Sequence, residues 1–305
     1  MARAVRPLSR RLRRCWAAAG AVATLLLVAN ATARAQVTCR PSPGSNEARL
    51  LAHYTVPIAF AATLPSPTLP RGGVSLALEG SWVPTPSRDV RRTDECYAPK
   101  DENTGLSPVL PRPRLAVGLG GGVTGELSYL PPVTVADATP SLLGVAISFA
   151  LGDRTVEHVA PSARRSRRYL LRAHATVGYV DGPITCPRSA LQDVPTQPCF
   201  GTSASNDRYA PNVSGVEGVV MQPLGARWRV LAGAGVSHAR PRFRVNFRTG
   251  DGLLDRTRVE HDFTTMTALG GITARLSPRL ELGVLAYEVI GRNATVRVTG
   301  QWRVR

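Results

Sequence analysis

Lysine is almost absent from this chain, aromatic residues are scarce, and no long apolar run is present. Lys100 is the single lysine, Phe, Trp and Tyr make up 6% of the 305 residues, and charged residues make up 19%. No stretch approaches the roughly 20 apolar residues of a spanning helix, which excludes a helical membrane protein. Gly (28) and Pro (25) are abundant instead, so we expect few long helices. An apolar fraction of 43% argues against general disorder.

Residues 1–35 have the pattern of a secretory signal peptide for the general secretion route. An arginine-rich start precedes an apolar run from Trp16 to Ala29, and the triplet Ala33-Arg34-Ala35 precedes Gln36. Because the apolar run is too short to span a bilayer, we expect cleavage rather than anchoring. Removing this segment takes away seven arginines and leaves 31 basic against 21 acidic residues, a net charge of +10 instead of +17. The basic excess therefore does not indicate a nucleic-acid partner.

Four cysteines remain after the signal peptide, namely Cys39, Cys96, Cys186 and Cys199. An even number of cysteines in a secreted chain predicts two disulfides. Cys186 and Cys199 lie in one turn-rich segment, where a disulfide would stabilise the fold by roughly 3 kcal/mol. The alternative is a set of free or metal-binding thiols, but no Cys-x-x-Cys motif or neighbouring histidine cluster supports it. We therefore expect neither a metal nor another cofactor.

Period-two alternation of apolar and polar residues dominates the chain after residue 73. From residue 74 to 83, Val74, Leu76 and Leu78 alternate with Ser75 and Glu79, the pattern of a strand with one apolar face. Ten such segments follow one another. They are 74–83, 114–119, 123–130, 143–151, 171–179, 212–221, 228–236, 258–276, 280–290 and 294–304.

The connections between these segments tend to alternate between long and short. Turns at 120–122, 222–226 and 277–279 are short, whereas those at 84–112, 181–210 and 239–257 are long. Long and short loops therefore fall at opposite ends of the predicted sheet. The connection 152–167 is an exception, because it belongs with the short turns but is long and rich in arginine.

A soluble β-sandwich also alternates, but three features favour a membrane barrel. Strands of about ten residues are longer than those of globular sheets. The polar faces carry Ser, Thr, Gly, isolated arginines and carboxylates rather than lysine, and the last segment is itself a strand that can close on the first. Together with the signal peptide, this layout resembles the Gram-negative outer-membrane β-barrel (porin-like) proteins.

The resemblance implies an all-β, antiparallel transmembrane barrel of about 10–12 strands, integral to the bacterial outer membrane. Its expected partners are outer-membrane lipid, lipopolysaccharide and the barrel assembly machinery, with small anionic solutes as candidate cargo. We place the signal peptide at 1–35, an N-terminal segment at 36–73 and the barrel at 74–305.

The N-terminal segment has two interpretations. Residues 53–63 alternate and could add a strand, with a short helix at 45–52 before it. If this stretch instead runs through the lumen, Cys39 reaches the end of the barrel where Cys96 lies. We therefore expect a disulfide between Cys39 and Cys96 and a segment that partly plugs the barrel.

Charged side chains of both signs are expected to line the lumen. The candidates are Glu79, Arg114, Glu126, Arg172, His174, Arg227, Arg229, Arg275, Glu281, Arg297 and Arg303. They either pair across the lumen as a filling, because isolated charges away from water are costly, or line a pore whose arginine excess favours anions.

Passive passage or binding of a small solute is therefore the leading function. A structural or adhesive surface barrel without conductance is the alternative. An outer-membrane hydrolase is a third hypothesis, with His238, His261 and Asp262 near strand ends and Ser237 or Asp251 close in sequence. No nucleophile motif surrounds these residues, so we expect the protein not to be an enzyme.

Overall fold

Ten antiparallel strands close on themselves to form the barrel. The computed structural model describes residues 37–62, 69–96, 108–135, 137–151 and 167–304. The barrel strands are β2 (Val74–Trp82), β3 (Val109–Gly120), β4 (Val123–Leu130), β5 (Thr139–Leu151), β6 (Arg168–Gly182), β8 (Val213–Leu224), β9 (Trp228–Ala239), β14 (Phe263–Arg275), β15 (Leu280–Val289) and β16 (Asn293–Arg303). Their order follows the chain, β16 pairs with β2, and β6 pairs with β8 past the intervening short strand.

Further short strands lie at one end of the barrel. They are β1 (Thr38–Cys39), β7 (Asp207–Ala210), β10 (Arg242–Arg244), β11 (Phe247–Arg248), β12 (Leu254–Asp255) and β13 (Arg258–Glu260). The last residues of β6 pair with β7, and the sheet continues through β10 and β13 to β1. We call this the long-loop end, and the opposite end the short-turn end.

Within the described ranges, three helical segments accompany the strands. Helix α1 (Asn46–Ile58) precedes the barrel, while α2 (Arg88–Arg91) and a 3-10 turn at Arg188–Ala190 lie in long loops. None of the helices in the described part of the chain is long and apolar enough to cross a membrane.

The barrel is apolar outside and polar inside, the reverse of a water-soluble fold. Exposed side chains on the outer surface include Leu76, Leu78, Ile147, Val284 and Val298. Polar and charged side chains such as Glu79, Arg172 and Arg297 are buried instead. The alternation read from the sequence therefore places the apolar face towards lipid.

The all-β barrel prediction is confirmed with ten strands, at the lower end of the expected range. Several boundaries were wrong, among them the start of β3, which lies at Val109 rather than at 114. Residues 53–58 form part of helix α1 rather than a strand, and the segment 258–276 is divided into β13 and β14. Residues 53–58 were misread because protein surrounds them on all sides. Their apolar residues therefore fit the two-residue period of a strand as well as the 3.6-residue period of a helix. The signal peptide at 1–35 and most of the 152–167 connection lie outside the described residues.

Candidate functional site

The N-terminal segment runs through the lumen as a plug, which we define as residues 46–62. Helix α1 begins after Ser45, whose hydroxyl accepts a hydrogen bond from the Ala48 amide at 3.3 Å, an N-cap. The helix starts at the long-loop end, and after residue 58 the chain continues without helical structure. Residues 69–72 then reach the short-turn end, where the Gly72 amide donates to the Gly118 carbonyl.

Pro57 lies inside α1, and the barrel wall compensates for the amide it lacks. Without that amide the His53 carbonyl loses its partner within the helix. The Asn293 side-chain amide donates to this carbonyl at 3.4 Å. The first residue of β16 therefore takes part in holding the helix.

Charged side chains on six strands form an alternating belt around part of the lumen. We define the charge belt as Arg297, Glu79, Arg114, Glu126, Arg172, Glu217 and His174, in spatial order. The nitrogen–oxygen distances between adjacent members are 3.4 Å or less. Each of these pairs joins two different strands of the barrel. All seven side chains are almost completely buried. Mutual compensation is what makes so many buried charges tolerable.

The wall arginines also cap the end of the plug helix. The Arg112 guanidinium donates to the carbonyls of Ile58 (2.5 Å) and Ala59 (3.2 Å), and Arg297 donates to Val56 (3.0 Å). Carbonyls in the last turn of a helix have no partner within it and carry partial negative charge. Helix α1 has no basic residue in its own last turn, so the barrel supplies the cations.

Below the helix, the wall continues to bind the plug through its backbone. Arg172 donates to the Phe60 carbonyl at 2.9 Å and Arg114 to the Ala61 carbonyl at 3.0 Å. The Ala62 amide donates to Glu217 at 2.9 Å. The belt therefore satisfies polar groups of the plug that no secondary structure satisfies.

Phe60 places its ring among the arginines of the wall. The guanidinium carbons of Arg114, Arg172 and Arg112 lie 4.0, 5.2 and 5.6 Å from the ring centroid, within cation–π range. Gly144 on β5 leaves room for this ring, because a Cβ there would lie 2.8 Å from a Phe60 ring carbon.

The opposite side of the lumen is apolar. We define the apolar wall as the buried residues Val219, Met221, Leu231, Leu269 and Leu285 on the lumen faces of β8, β9, β14 and β15. These residues pack in one cluster with the plug. The plug contributes Val56, Ala59, Ala61 and Ala62 to that cluster.

A smaller charged cluster lies at the short-turn end. Arg229 donates to Glu281 at 3.1 Å, Arg303 approaches the same carboxylate at 3.8 Å, and the Thr273 hydroxyl donates to it at 2.7 Å. Arg275 lies on the neighbouring strand, opposite Glu281 in the register. A single carboxylate therefore pairs with two arginines in this cluster.

The structure places most of the expected lumen residues on inward faces, but one differs. Arg227 lies in the exposed turn between β8 and β9 rather than in the lumen, because β9 begins only at Trp228. Sequence reasoning missed Arg112 and Glu217. Residues two positions apart on a strand face the same side, so Arg112 could have been assigned to the lumen together with Arg114. In the same way, the alternation within 212–221 would have placed Glu217 in the lumen.

The residues considered for hydrolysis do not form a catalytic group. The hydroxyl of Ser237 is buried in the lumen, whereas the His238 imidazole faces outward and contacts Thr264 at 2.9 Å. Asp262 pairs with Arg242 at 2.5 Å, and His261 stacks on Phe263. Asp251 lies in a loop and accepts from its neighbour Thr249. Within the described ranges, no group of three His, Cys, Asp or Glu residues could hold a metal ion.

Two disulfides brace the long-loop end, as expected from the sequence. Cys39 pairs with Cys96 and Cys186 with Cys199. The first joins β1 to the loop between β2 and β3, next to the start of the plug helix. The second closes a loop whose backbone is held by the buried Asp207, which accepts from the amides of Ile184 and Thr185.

Glu47 connects the plug helix to the same loop. Its carboxylate accepts hydrogen bonds from three consecutive amides, those of Asp94, Glu95 and Cys96, at 2.9 to 3.0 Å. Burial by itself would raise the pKa of the Glu47 carboxyl. The hydrogen bonds from the Asp94 side chain and from these amides outweigh burial and lower the pKa.

A cavity of about 80 Å³ lies between the plug helix and the wall near the long-loop end. Its lining is almost wholly apolar. The lining residues are Tyr54, Pro57, Ile58, Val83, Val109, Leu110, Pro111, Leu130, Val135, Ala138, Pro140 and Val180. The cavity is thus separate from the charge belt, although both contact the plug.

Comparisons with known proteins return outer-membrane barrels of low similarity. The attachment invasion locus protein Ail of Yersinia pestis has 6% identity and a TM-score of 0.29, over 76% of this chain and 98% of that one. The Ralstonia pickettii toluene transporter TbuX has 10% identity and a TM-score of 0.26, over 78% and 90%. No family model and no curated protein matches the sequence.

At these scores the comparisons carry no functional argument, so the assignment rests on the barrel itself. The antiparallel barrel is closed by the pairing of β16 with β2, and it exposes apolar side chains around an interior that holds the charge belt. Those are the requirements for spanning a bilayer with strands. The chain is an integral outer-membrane β-barrel.

Proposed function

We propose that this outer-membrane barrel binds a small apolar molecule at its long-loop end and that its resting state is closed rather than an open pore. The observation that supports this is the apolar cavity beside the plug helix. Binding sites for small molecules are typically concave and mostly apolar.

The interior gives little support to an anion pore. The belt arginines are paired with Glu79, Glu126 and Glu217, and each of them also donates a hydrogen bond to a carbonyl of the plug. A charged pore selects ions through the electrostatic field of side chains that are free to interact with the passing ion. In this lumen the arginines interact with carboxylates and carbonyls of the protein instead.

The cavity size limits the ligand. An apolar cavity of roughly 150 Å³ can hold benzene, and the cavity here is about 80 Å³. It therefore suits a short alkyl group, either free or at the end of an amphipathic molecule. The lining offers almost no hydrogen-bonding surface, so affinity would come from apolar burial.

Methyl NMR of the barrel in lipid nanodiscs tests this proposal. The Ile58 methyl group borders the cavity, whereas Ile272 faces lipid on the opposite wall. On titration with propane under pressure we expect a saturable shift of the Ile58 signal and only a linear, non-saturating shift of the Ile272 signal. The Ile272 response corrects for alkane dissolved in the bilayer.

Two alanine-to-phenylalanine variants supply the matched control. Ala138→Phe adds a ring in the cavity and should abolish the saturable Ile58 shift. Ala232→Phe adds the same ring on the lipid-facing side of β9 and should preserve the shift. An unsaturable Ile58 response in the unmodified protein would exclude ligand binding, and steady conductance of the same sample in planar bilayers would favour a pore instead.

A further inference from the structure

On one side of the barrel the wall continues beyond the long-loop end. The short strands β7, β10 and β13 prolong β8, β9 and β14, and the pairs Ala239–Phe263 and Arg242–Glu260 share one register. Strand β7 prolongs β8 against β10 in the same way. We call β7, β10 and β13 the wall extension.

The inner face of the wall extension is apolar and packs on the plug. Tyr209 and Val259 are buried in one cluster with Leu51 and Ile58 of the plug, and Phe243 packs against that cluster. These three residues of the extension pair with one another across the strands. Because side chains alternate along a strand, the residues next to them lie on the outer face.

The outer face changes from apolar to basic along the same strands. Within the barrel, Val236 on β9 and Met266 on β14 are exposed towards lipid. In the wall extension, Arg244 is the register partner of both Arg208 and Arg258. We call these three arginines the arginine row.

The arginine row brings like charges together without matching acids. Cross-strand neighbours have Cβ atoms about 4.5–5.5 Å apart, and like charges placed there are destabilising. Arg208 has an acidic partner, Asp181, at 2.7 Å. Among the residues that the structure describes, Arg244 and Arg258 have no acidic side chain within ion-pair distance. The row therefore retains positive charge that its surroundings do not neutralise.

The adjacent pair on the same strands is compensated, which shows that the excess is local. Arg242 approaches Asp262 at 2.5 Å and Glu260 at 3.8 Å, and Arg40 approaches Glu260 at 3.8 Å. These residues lie one pair closer to the barrel than the arginine row. Acids are thus supplied to one pair and withheld from the next.

The row lies just beyond the surface that contacts lipid. On β6, Val177 is 49% exposed and precedes Asp181, the register partner of Arg208, by four residues. Four residues span about 13 Å along a strand. Tyr179 lies between them, with the Arg208 guanidinium carbon 3.7 Å from its ring centroid, and aromatic residues mark the membrane interface. The row is therefore at the level of lipid head groups.

We propose that the arginine row binds phosphate groups of lipopolysaccharide in the outer leaflet. Lipopolysaccharide is a phosphorylated glycolipid, and the long loops of such barrels face the external side. Guanidinium groups bind phosphate bidentately, and basic clusters beside a membrane bind anionic head groups. Acyl chains lying against Val236 and Met266 would bring those phosphates to the row. This site lies on the outside of the wall and is independent of the proposed cavity ligand.

Titration with two forms of one lipid tests the site. The barrel in micelles is titrated with rough-type lipopolysaccharide and with the same preparation after its phosphates have been removed by aqueous hydrogen fluoride. Binding is followed by microscale thermophoresis. For the unmodified protein we expect clearly tighter binding of the phosphorylated form, and a decrease of that difference at high salt.

The variant Arg244→Gln/Arg258→Gln should bind phosphorylated lipopolysaccharide roughly tenfold more weakly. Arg88→Gln/Arg188→Gln is the matched control, because it removes the same charge from exposed positions in other long loops, and its affinity should be unchanged. Without lipopolysaccharide, Arg244→Gln/Arg258→Gln should resist urea at least as well as the unmodified protein, since it relieves repulsion. If the double variant fails to assemble, Arg258→Gln alone should weaken binding severalfold.

The outcomes decide between lipid and other anions. Unchanged affinity in the row variants, or equal affinity for lipopolysaccharide with and without phosphate, overturns the site. Dextran sulfate that binds the unmodified protein more tightly than lipopolysaccharide, through the same arginines, would assign the row to a soluble polyanion and overturn the lipid assignment. Loss of affinity in the row variants that matches the loss on phosphate removal supports the proposal.

Discussion

The two sides of the lumen hold the same plug in different ways. On the side of the charge belt, arginines bind the carbonyls of Val56, Ile58, Ala59, Phe60 and Ala61. On the side of the apolar wall, contact is made by side chains that pack in one cluster. The belt therefore recognises the backbone, which every sequence has, and the apolar wall recognises the particular residues of the plug.

The two sides of the lumen therefore constrain different properties of the plug. Hydrogen bonds to carbonyls fix the path of the chain and depend strongly on geometry. Apolar packing has little direction but depends on volume and shape. Phe60 is the exception that joins the two, because its side chain lies among the arginines of the belt.

The largest expected effect comes from breaking the belt at Glu79. Glu79→Ala leaves Arg114 and Arg297 without the carboxylate between them, in a site where the Glu79 side chain is 0% exposed. Removing one partner of a buried ion pair costs about 3–5 kcal/mol. Urea unfolding in micelles, followed by the loss of heat-dependent gel mobility, measures the change. Glu288→Ala on the exposed face of β15 is the control and should stay within about 1 kcal/mol.

A smaller loss is expected from the apolar wall. Leu285 is 2% exposed inside the lumen, and Leu282 on the same strand is 42% exposed outside. Leu285→Ala should cost about 2–4 kcal/mol in the same unfolding assay, because it leaves a cavity against the plug. Leu282→Ala should cost less, since lipid fills the space. An equal loss of unfolding free energy in the two variants would mean that Leu285 packs no better against the plug than Leu282 packs against lipid.

The smallest effect concerns the far end of the plug, where neither wall acts. The pKa of Glu47 is lowered in the folded protein, so its contribution is present above the unfolded value of about 4.3. That contribution is lost as pH falls through the folded pKa. Glu47→Gln should lower stability at pH 6 by about 1–2 kcal/mol and lose less on acidification. Asp89→Asn, an exposed acid on α2, should keep the pH dependence of the unmodified protein.

Much of the barrel could be predicted because lipid imposes a strict alternation. All ten strands were identified, and the disulfides Cys39–Cys96 and Cys186–Cys199 were confirmed. The plug was harder, because Tyr54, Val56, Ile58 and Phe60 satisfy a period of two while Leu51, Tyr54, Thr55 and Ile58 satisfy a helical period. A segment surrounded by protein has no polar side to distinguish the two.

The cavity could not be predicted in the same way. The cavity is lined by residues as far apart as Tyr54 and Val180, so it depends on how the plug lies against the wall. Pro111 and Pro113 are visible in the sequence, and prolines within a segment argue against a strand there. Arg112 was missed for the same reason, since the prolines on either side hid the strand's true beginning.

The Glu79–Arg297 pair has a consequence for assembly. Its two residues are 218 positions apart and lie on the strands that meet where the barrel closes. Until β16 arrives, Glu79 and the plug carbonyl of Val56 lack one of their guanidinium partners. A barrel that lacks β16 thus carries polar groups in its lumen that gain these partners only when β16 pairs with β2.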